Sequence, residues 1–269
     1  MDRIRFAFKD GKTKALTMSY DDGRTYDRRL VEIFDRYGIR GTFHLNSALL
    51  GDESHVSAEE IPTLYRNHEV SCHTLTHPFI ERLAPMEVVH EILADKENLE
   101  AACGYVVRGM SYPYGRTSEQ ATEIMRTLGM NYSRTTQSVG GFGIPDDFMH
   151  WNPTCHHKDS TLLDKLEAFK ALTAEKKRFL SLFYVWGHSY EFNDNDNWNV
   201  IEEFCEKASG MEDTWYATNI EIYDYVTALR RLEMSADRSL VYNPSVTPVW
   251  AVADGKKIEC RGGETTRLF

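Results

Sequence analysis

Short apolar runs alternate along this chain with longer stretches in which apolar positions recur every three or four residues. Residues 15–20 (ALTMSY) read as a strand. Leu30, Ile33, Phe34 and Tyr37 then fall at helical spacing after Thr25, with Gly38 as a stop, so a helix is expected over 25–37. Residues 41–46 (GTFHLN) alternate as a strand does, and 68–73 (HEVSCH) form another short strand. Pro85 opens a long helix with Val88, Val89, Ile92 and Leu99 on one stripe. The stretch 105–115 (YVVRGMSYPYG) reads as a strand entering a Pro-Tyr-Gly turn. A helix is expected over 118–128, a strand over 130–136 and a helix over 161–173. The clearest buried strand is 178–188 (RFLSLFYVWGH), and helices at 199–208 and 220–233 flank a short run at 214–218.

Strands alternating with helices imply a parallel sheet with helices packed around it, and a chain of 269 residues suits a (β/α) barrel. After about Ala236 the pattern changes to strand runs with an Asp-Gly turn at Asp254-Gly255, which predicts a small β appendage. The expected division is a barrel over 1–235 and a β-rich extension over 236–269.

Composition narrows the function. A net charge of −10 excludes the broad basic face of a general nucleic-acid binder. No apolar run approaches the ~20 residues of a membrane span. The first residues show no apolar signal segment, so a soluble cytoplasmic protein is expected. Five scattered cysteines with no CxxC spacing argue against a disulfide framework or a structural zinc knot.

In such folds chemistry sits at the C-terminal ends of strands. The polar residues there are Asp21-Asp22, the stretch from His73 to His77, the Tyr112-Pro113-Tyr114-Gly115 turn and Trp186-Gly187-His188. Two ionised carboxylates ending a buried strand are costly unless paired or metal-bound. Neighbours in a regular strand also face opposite ways, so both acids serve one site only if the chain bends, which Gly23 permits. On a helix His73 and His77 would share a face. Pro78 disfavours helix at His77, which leaves a compact loop as an equal alternative. Two imidazoles and one carboxylate make a three-ligand centre with open positions, as in hydrolytic zinc sites. The second carboxylate is then free as a general base, and a distant histidine as a general acid.

Taken in order, these segments resemble the polysaccharide deacetylase family, also called the NodB-homology domain or carbohydrate esterase family 4. SYDDG (19–23) matches its first motif, HTLTH (73–77) its histidine-bracketed second, YPYG (112–115) the end of its third and VWGH (185–188) its fifth. The resemblance covers roughly residues 14–190 and implies a distorted (β/α) barrel. It also implies that Asp21 is the general base and that Asp22, His73 and His77 hold one divalent metal, zinc foremost, with cobalt or nickel as alternatives. His188 would be the general acid, and the backbone N–H of Tyr114 would face the oxyanion. Trp186, where the family usually has leucine, would line the pocket for the acetyl methyl, and Tyr112 and Arg134 are further substrate-binding candidates.

Two departures stand out. Ser111 occupies the place of the family's arginine, which holds the catalytic base, and the fourth motif's aspartate has no match near Trp151. Another cation is therefore expected at Asp21, with Arg134 the first candidate and Arg24 and Arg108 next. His156 and His157 lack a second ligand pair in the sequence, so a loop near the site is expected there rather than a second metal centre. Tyr190 and Glu191 either orient His188, touch substrate or form the rim. The activity implied is hydrolytic removal of N-acetyl groups from amino sugars, with an N-acetylated sugar as the partner. An O-acetyl esterase, a cyclic-amide hydrolase and a catalytically silent sugar-binding protein are the alternatives.

Overall fold

A computed structural model describes residues 4–173 and 180–269. The strands are β1 (Ile4–Ala7), β2 (Lys14–Asp21), β3 (Gly41–Leu45), β4 (Glu69–Cys72), β5 (Gly109–Ser111), β6 (Tyr132–Arg134) and β7 (Cys155–His156). They continue as β8 (Ser181–His188), β9 (Thr214–Tyr216), β10 (Glu233–Met234), β11 (Leu240–Tyr242), β12 (Val249–Ala253), β13 (Lys256–Cys260) and β14 (Thr265–Arg267). The helices are α1 (Asp27–Tyr37), α2 (Ile61–Leu64), α3 (Pro85–Cys103), α4 (Glu119–Thr127), α5 (Leu162–Lys170), α6 (Tyr190–Asp194), α7 (Trp198–Ala208) and α8 (Asn219–Arg230).

Local chemistry sets the ends of these helices. Gly38, in the left-handed region at φ 64°, closes α1 by donating its N–H to Asp35 and Phe34 carbonyls. Ser118 caps α4 by accepting from Ala121 N at 3.2 Å. Thr218 and Glu221 form a reciprocal capping box at the start of α8. The first two residues expected of the strand 178–188 lie outside the described residues.

An eight-stranded sheet runs in the order β6-β5-β4-β3-β2-β8-β7, and β9 adds to β2. Every pairing in it is parallel. The segment from Trp151 to His156 joins its two margins. Trp151 bridges Arg134 of β6, while Cys155 and His156 pair with β8. The sheet thus curls into a distorted (β/α) barrel with helices outside it. Leu16, Met18, Tyr20, Phe43, Leu45 and Val70 face those helices in one core. A second core joins Ala15, Tyr132, Trp151 and Tyr184 to Ile222 and Tyr225 of α8.

The β-rich region is less local than the sequence suggests. β12 and β13 form the expected hairpin around Asp254 and Gly255, whose positive φ values of 49° and 79° suit a tight turn. The third strand of that sheet is β1, from the other end of the chain. A separate sheet pairs β10 and β14 on either side of β11. The extension therefore takes in residues 4–7 and 233–234 besides those after 236.

One register matters most for chemistry. β2 and β8 pair over their full length, which sets Asp21 level with His188 and Ser19 level with Trp186. β5 and β6 likewise set Ser111 level with Arg134. Among the described residues no helix is long and apolar enough to cross a membrane.

Candidate active site

The two adjacent acids leave the end of β2 in different directions because the chain turns at the second of them. Asp22 has φ 78° and Gly23 φ 65°, so the bend begins one residue before the glycine. A left-handed aspartate is uncommon and costs about 1–3 kcal/mol, a strain typical of functional positions. Asp21 remains buried, while Asp22 is partly open.

His73 and His77 reach Asp22 from a compact loop beyond β4, with Thr74 and His77 at φ 66° and 61° and no helix between them. Asn46 holds this loop by donating to the His73 and Thr74 carbonyls at 2.6 and 2.9 Å. Buried Asp95 accepts from His73 N at 3.1 Å and Ser47 N at 2.8 Å. His73 Nε2 lies 3.5 Å from Asp22 Oδ1, and His77 Nε2 lies 3.7 Å from the same oxygen. The ligand atoms of Asp22, His73 and His77 all fall within 4.8 Å of one another.

This donor set fits a divalent cation. His73 Nδ1 sits 2.8 Å from the Ser111 carbonyl, an acceptor that fixes the ring proton on Nδ1. Nε2 is thereby left with its lone pair turned towards Asp22, the arrangement a metal-ligating imidazole needs. Burial lowers the His73 pKa, which also favours the neutral ring.

Asp21 is held from behind. Arg134, wholly buried, donates from Nη2 to Asp21 Oδ2, and Ser111 Oγ donates to Asp21 Oδ1 at 3.0 Å. Burial alone would raise the pKa of Asp21, but the Arg134 guanidinium, with His73 behind it, holds the carboxyl well below its usual range. Arg134 Nε also donates to Ser19 Oγ at 3.0 Å, and its guanidinium stacks 4.5 Å from the centre of the Trp186 ring. The other arginines are engaged elsewhere. Arg108 donates two hydrogen bonds to the Asp224 carboxylate at 2.9 and 2.7 Å, and Arg24 lies over the Tyr190 ring.

Two substrate-binding expectations need correction. Tyr112 is fully buried and donates its hydroxyl to the Met149 carbonyl at 2.9 Å, away from the acids. Ser111 faces the site, and the next residue of an extended chain faces the opposite way. Arg134 has no exposed surface left for a substrate, because Asp21 and Trp186 cover it. Trp186 does lie at the site, between Arg134, His156 and His188.

His188 stands across from the acids, with Nε2 4.0 Å from Asp22 Oδ2. Burial would lower its pKa, but contact with Glu191 and the nearby charges of Asp21 and Asp22 together raise it. Tyr114 adopts φ 59° in the Pro-Tyr-Gly turn, its ring half exposed beside His77 and stacked 4.0 Å from Phe79. Ser111 and Glu191 are the contributions that residue reading underrated. Ser111 joins Asp21 to His73, a link legible only once β5 is paired.

Residues 8–133 match the family model described as polysaccharide deacetylase. A chitooligosaccharide deacetylase of Bradyrhizobium sp. is 27% identical over 108 residues, covering 38% of this chain and 47% of that protein. The chain thus spans about half the length of that relative. A peptidoglycan-N-acetylglucosamine deacetylase of Bacillus cereus is 24% identical over 208 residues, covering 68% of this chain and 72% of the relative. A candidate polysaccharide deacetylase from Mycobacterium smegmatis shares the fold, with TM-score 0.62 and 15% identity over 86% of this chain and 96% of its own.

Proposed function

We propose, from the match of residues 8–133 to the polysaccharide deacetylase family model, that this chain hydrolyses the N-acetyl group of an amino sugar within an oligo- or polysaccharide. The observation that carries the reading is the convergence on Asp22. His73, His77 and His188 all approach its carboxylate within 4.0 Å, and Asp21 lies next to it, ion-paired.

Asp22, His73 and His77 would hold a divalent cation, and two nitrogens with one oxygen suit zinc. Bound there, the cation supplies Lewis-acid polarisation of the acetyl carbonyl and makes water a better nucleophile near neutral pH. Asp21 accepts a proton from the attacking water, while Arg134 and Ser111 keep its carboxylate ionised and aimed. The carbonyl carbon gains a C–O bond, and the Tyr114 N–H donates to the oxygen that becomes negative. His188 gives a proton to the sugar nitrogen as the C–N bond breaks, releasing acetate and a free amine. Trp186 forms the apolar wall beside the acetyl methyl.

Chitooligosaccharides and peptidoglycan fragments, the substrates in the names of the two relatives, are the first to try. The test measures acetate released by zinc-loaded protein from N-acetylglucosamine oligomers, with Asp21→Asn as the inactive control. Release by wild type alone supports the reading. No release from any N-acetylated sugar, with acetate instead from O-acetylated xylan or ring opening of a cyclic imide, would replace it.

A further inference from the structure

Behind His188 lies a cluster with the composition of a second metal centre. Glu191 Oε2 is 3.2 Å from His156 Nε2, 3.1 Å from His157 Nε2 and 3.4 Å from His188 Nδ1. Its other oxygen is 2.7 Å from Lys158 Nζ, and the backbone N–H of His188 donates to Oε2 at 3.3 Å. The ligand atoms of His156, His188 and Glu191 fall within 4.8 Å of one another.

Two observations turn this cluster away from metal. The backbone N–H of Lys158 donates to His156 Nδ1 at 3.0 Å, so that nitrogen carries the lone pair and the proton of the neutral ring sits on Nε2. Nε2 then faces Glu191 as a donor, where a metal ligand would need a lone pair. The Lys158 ammonium also occupies Oε1, so a second cation would meet a like charge. What remains is one carboxylate surrounded by donors, an arrangement that favours its ionised form. Burial alone would raise the pKa of Glu191, yet contact with His156, His157, His188 and Lys158 holds it well below the carboxylate range.

We propose that Glu191, gripped by His156, His157 and Lys158, is a positioning residue for His188, keeping the proton of the resting imidazole on Nδ1 and turning Nε2 towards Asp22 and the substrate. The inference rests on the reading of His188 as the general acid. His188 Nδ1 is buried and makes no closed hydrogen bond among the described residues, and the Glu191 carboxylate stands 3.4 Å from it, placed to accept its proton. A neutral imidazole has a single ring proton. Holding it on Nδ1 leaves Nε2, 4.0 Å from Asp22 Oδ2, as the atom that takes up a proton and delivers it. The chain makes this geometry locally, because His188 ends β8 and Glu191 falls in the first turn of α6. The far side of the grip is rigid. His157 is stacked on Phe192 at 4.1 Å and on Tyr20 at 5.7 Å, and it presses on Gly187 so closely that a Cβ there would come 2.0 Å from its Nδ1.

The test combines imidazole 15N–1H NMR with steady-state kinetics on zinc-loaded wild type, Glu191→Gln and His157→Gln. Wild-type His188 is expected to be protonated on Nδ1 when neutral. Glu191→Gln is expected to lose that preference and to lower kcat by about 10- to 100-fold. KM should stay within about twofold, with one zinc still bound. His157→Gln, which loosens the grip while leaving Glu191 in place, should give an intermediate fall in kcat. A wild-type His188 protonated on Nε2, or a Glu191→Gln enzyme with unchanged tautomer and kcat, overturns the proposal. A second tightly bound zinc that His156→Ala removes overturns it too. If wild type releases no acetate, the deacetylase reading fails, while the NMR measurement still decides whether Glu191 sets the tautomer.

Discussion

Arg134 and Asp21 stand 113 residues apart in the chain and meet as a buried ion pair beneath the paired acids. Ser111 fills the gap between them and His73 with a hydroxyl. The cation is therefore supplied from β6.

Removing that cation should be severe. Arg134→Met leaves Asp21 buried without its partner, and breaking a buried pair this way costs about 3–5 kcal/mol. The urea midpoint should fall accordingly, and acetate release should drop on the order of 100-fold as Asp21 loses its alignment. Asp21→Asn combined with Arg134→Met should recover much of the stability and none of the activity. Equal midpoints for the single and double variants would show that the pair carries no such energy.

Zinc should couple to stability through Asp22, His73 and His77. At a free concentration one hundred times its Kd, a ligand that binds only the folded state adds about 2.7 kcal/mol. Adding zinc to chelator-treated protein should raise Tm by a few degrees, and Asp22→Ala should abolish the rise. A rise that persists in Asp22→Ala would move the cation elsewhere.

Gly115 follows Tyr114 at φ 68°, and a Cβ there would lie 2.0 Å from Thr136 Oγ1. Gly115→Ala should push the Pro-Tyr-Gly turn out of place and misdirect the Tyr114 N–H. Losing one oxyanion donor costs about 10²–10³ in kcat, so a fall of that order is expected with zinc binding intact. Retained kcat would show that the turn contributes no such donor.

The contribution of Glu69 to stability should decline as pH rises towards neutrality. Burial pushes the Glu69 carboxyl up from 4.5 to about 7, despite hydrogen bonds from Tyr132, Ile220 N and Thr42. Because its folded pKa is raised, its contribution is fully present below the unfolded value and is lost as pH climbs through about 7. Asp27, raised to about 7 by burial, adds to the same trend. Glu69→Gln, which cannot ionise, should gain on wild type between pH 5 and pH 8, on the order of 1–3 kcal/mol. Denaturation curves at the two pH values check this, and a constant difference between the proteins would contradict it.

Much of the architecture was legible in the residues because periodicity reports which face of a segment is buried, and that is a local property. The run 15–20, the stripe carried by Leu30, Ile33 and Phe34, the helix opened by Pro85 and the Asp254-Gly255 hairpin all appear where their patterns placed them. The order of the four polar segments likewise pointed to the family whose model matches residues 8–133.

What the sequence could not decide is which distant positions face each other. That follows from sheet register and closure. Pairing of β2 with β8 sets Asp21 beside His188, pairing of β5 with β6 sets Ser111 beside Arg134, and β1 crosses the whole chain to join β12. Tyr112 went astray for the same reason: one position along an extended backbone turns a side chain from the site into the core. Sequence alone determined which chemical groups stand at the strand ends. The folded sheet decided which carboxylate each cation serves, because a buried charge is stabilised by whatever the register brings within a few ångströms, however far away along the chain.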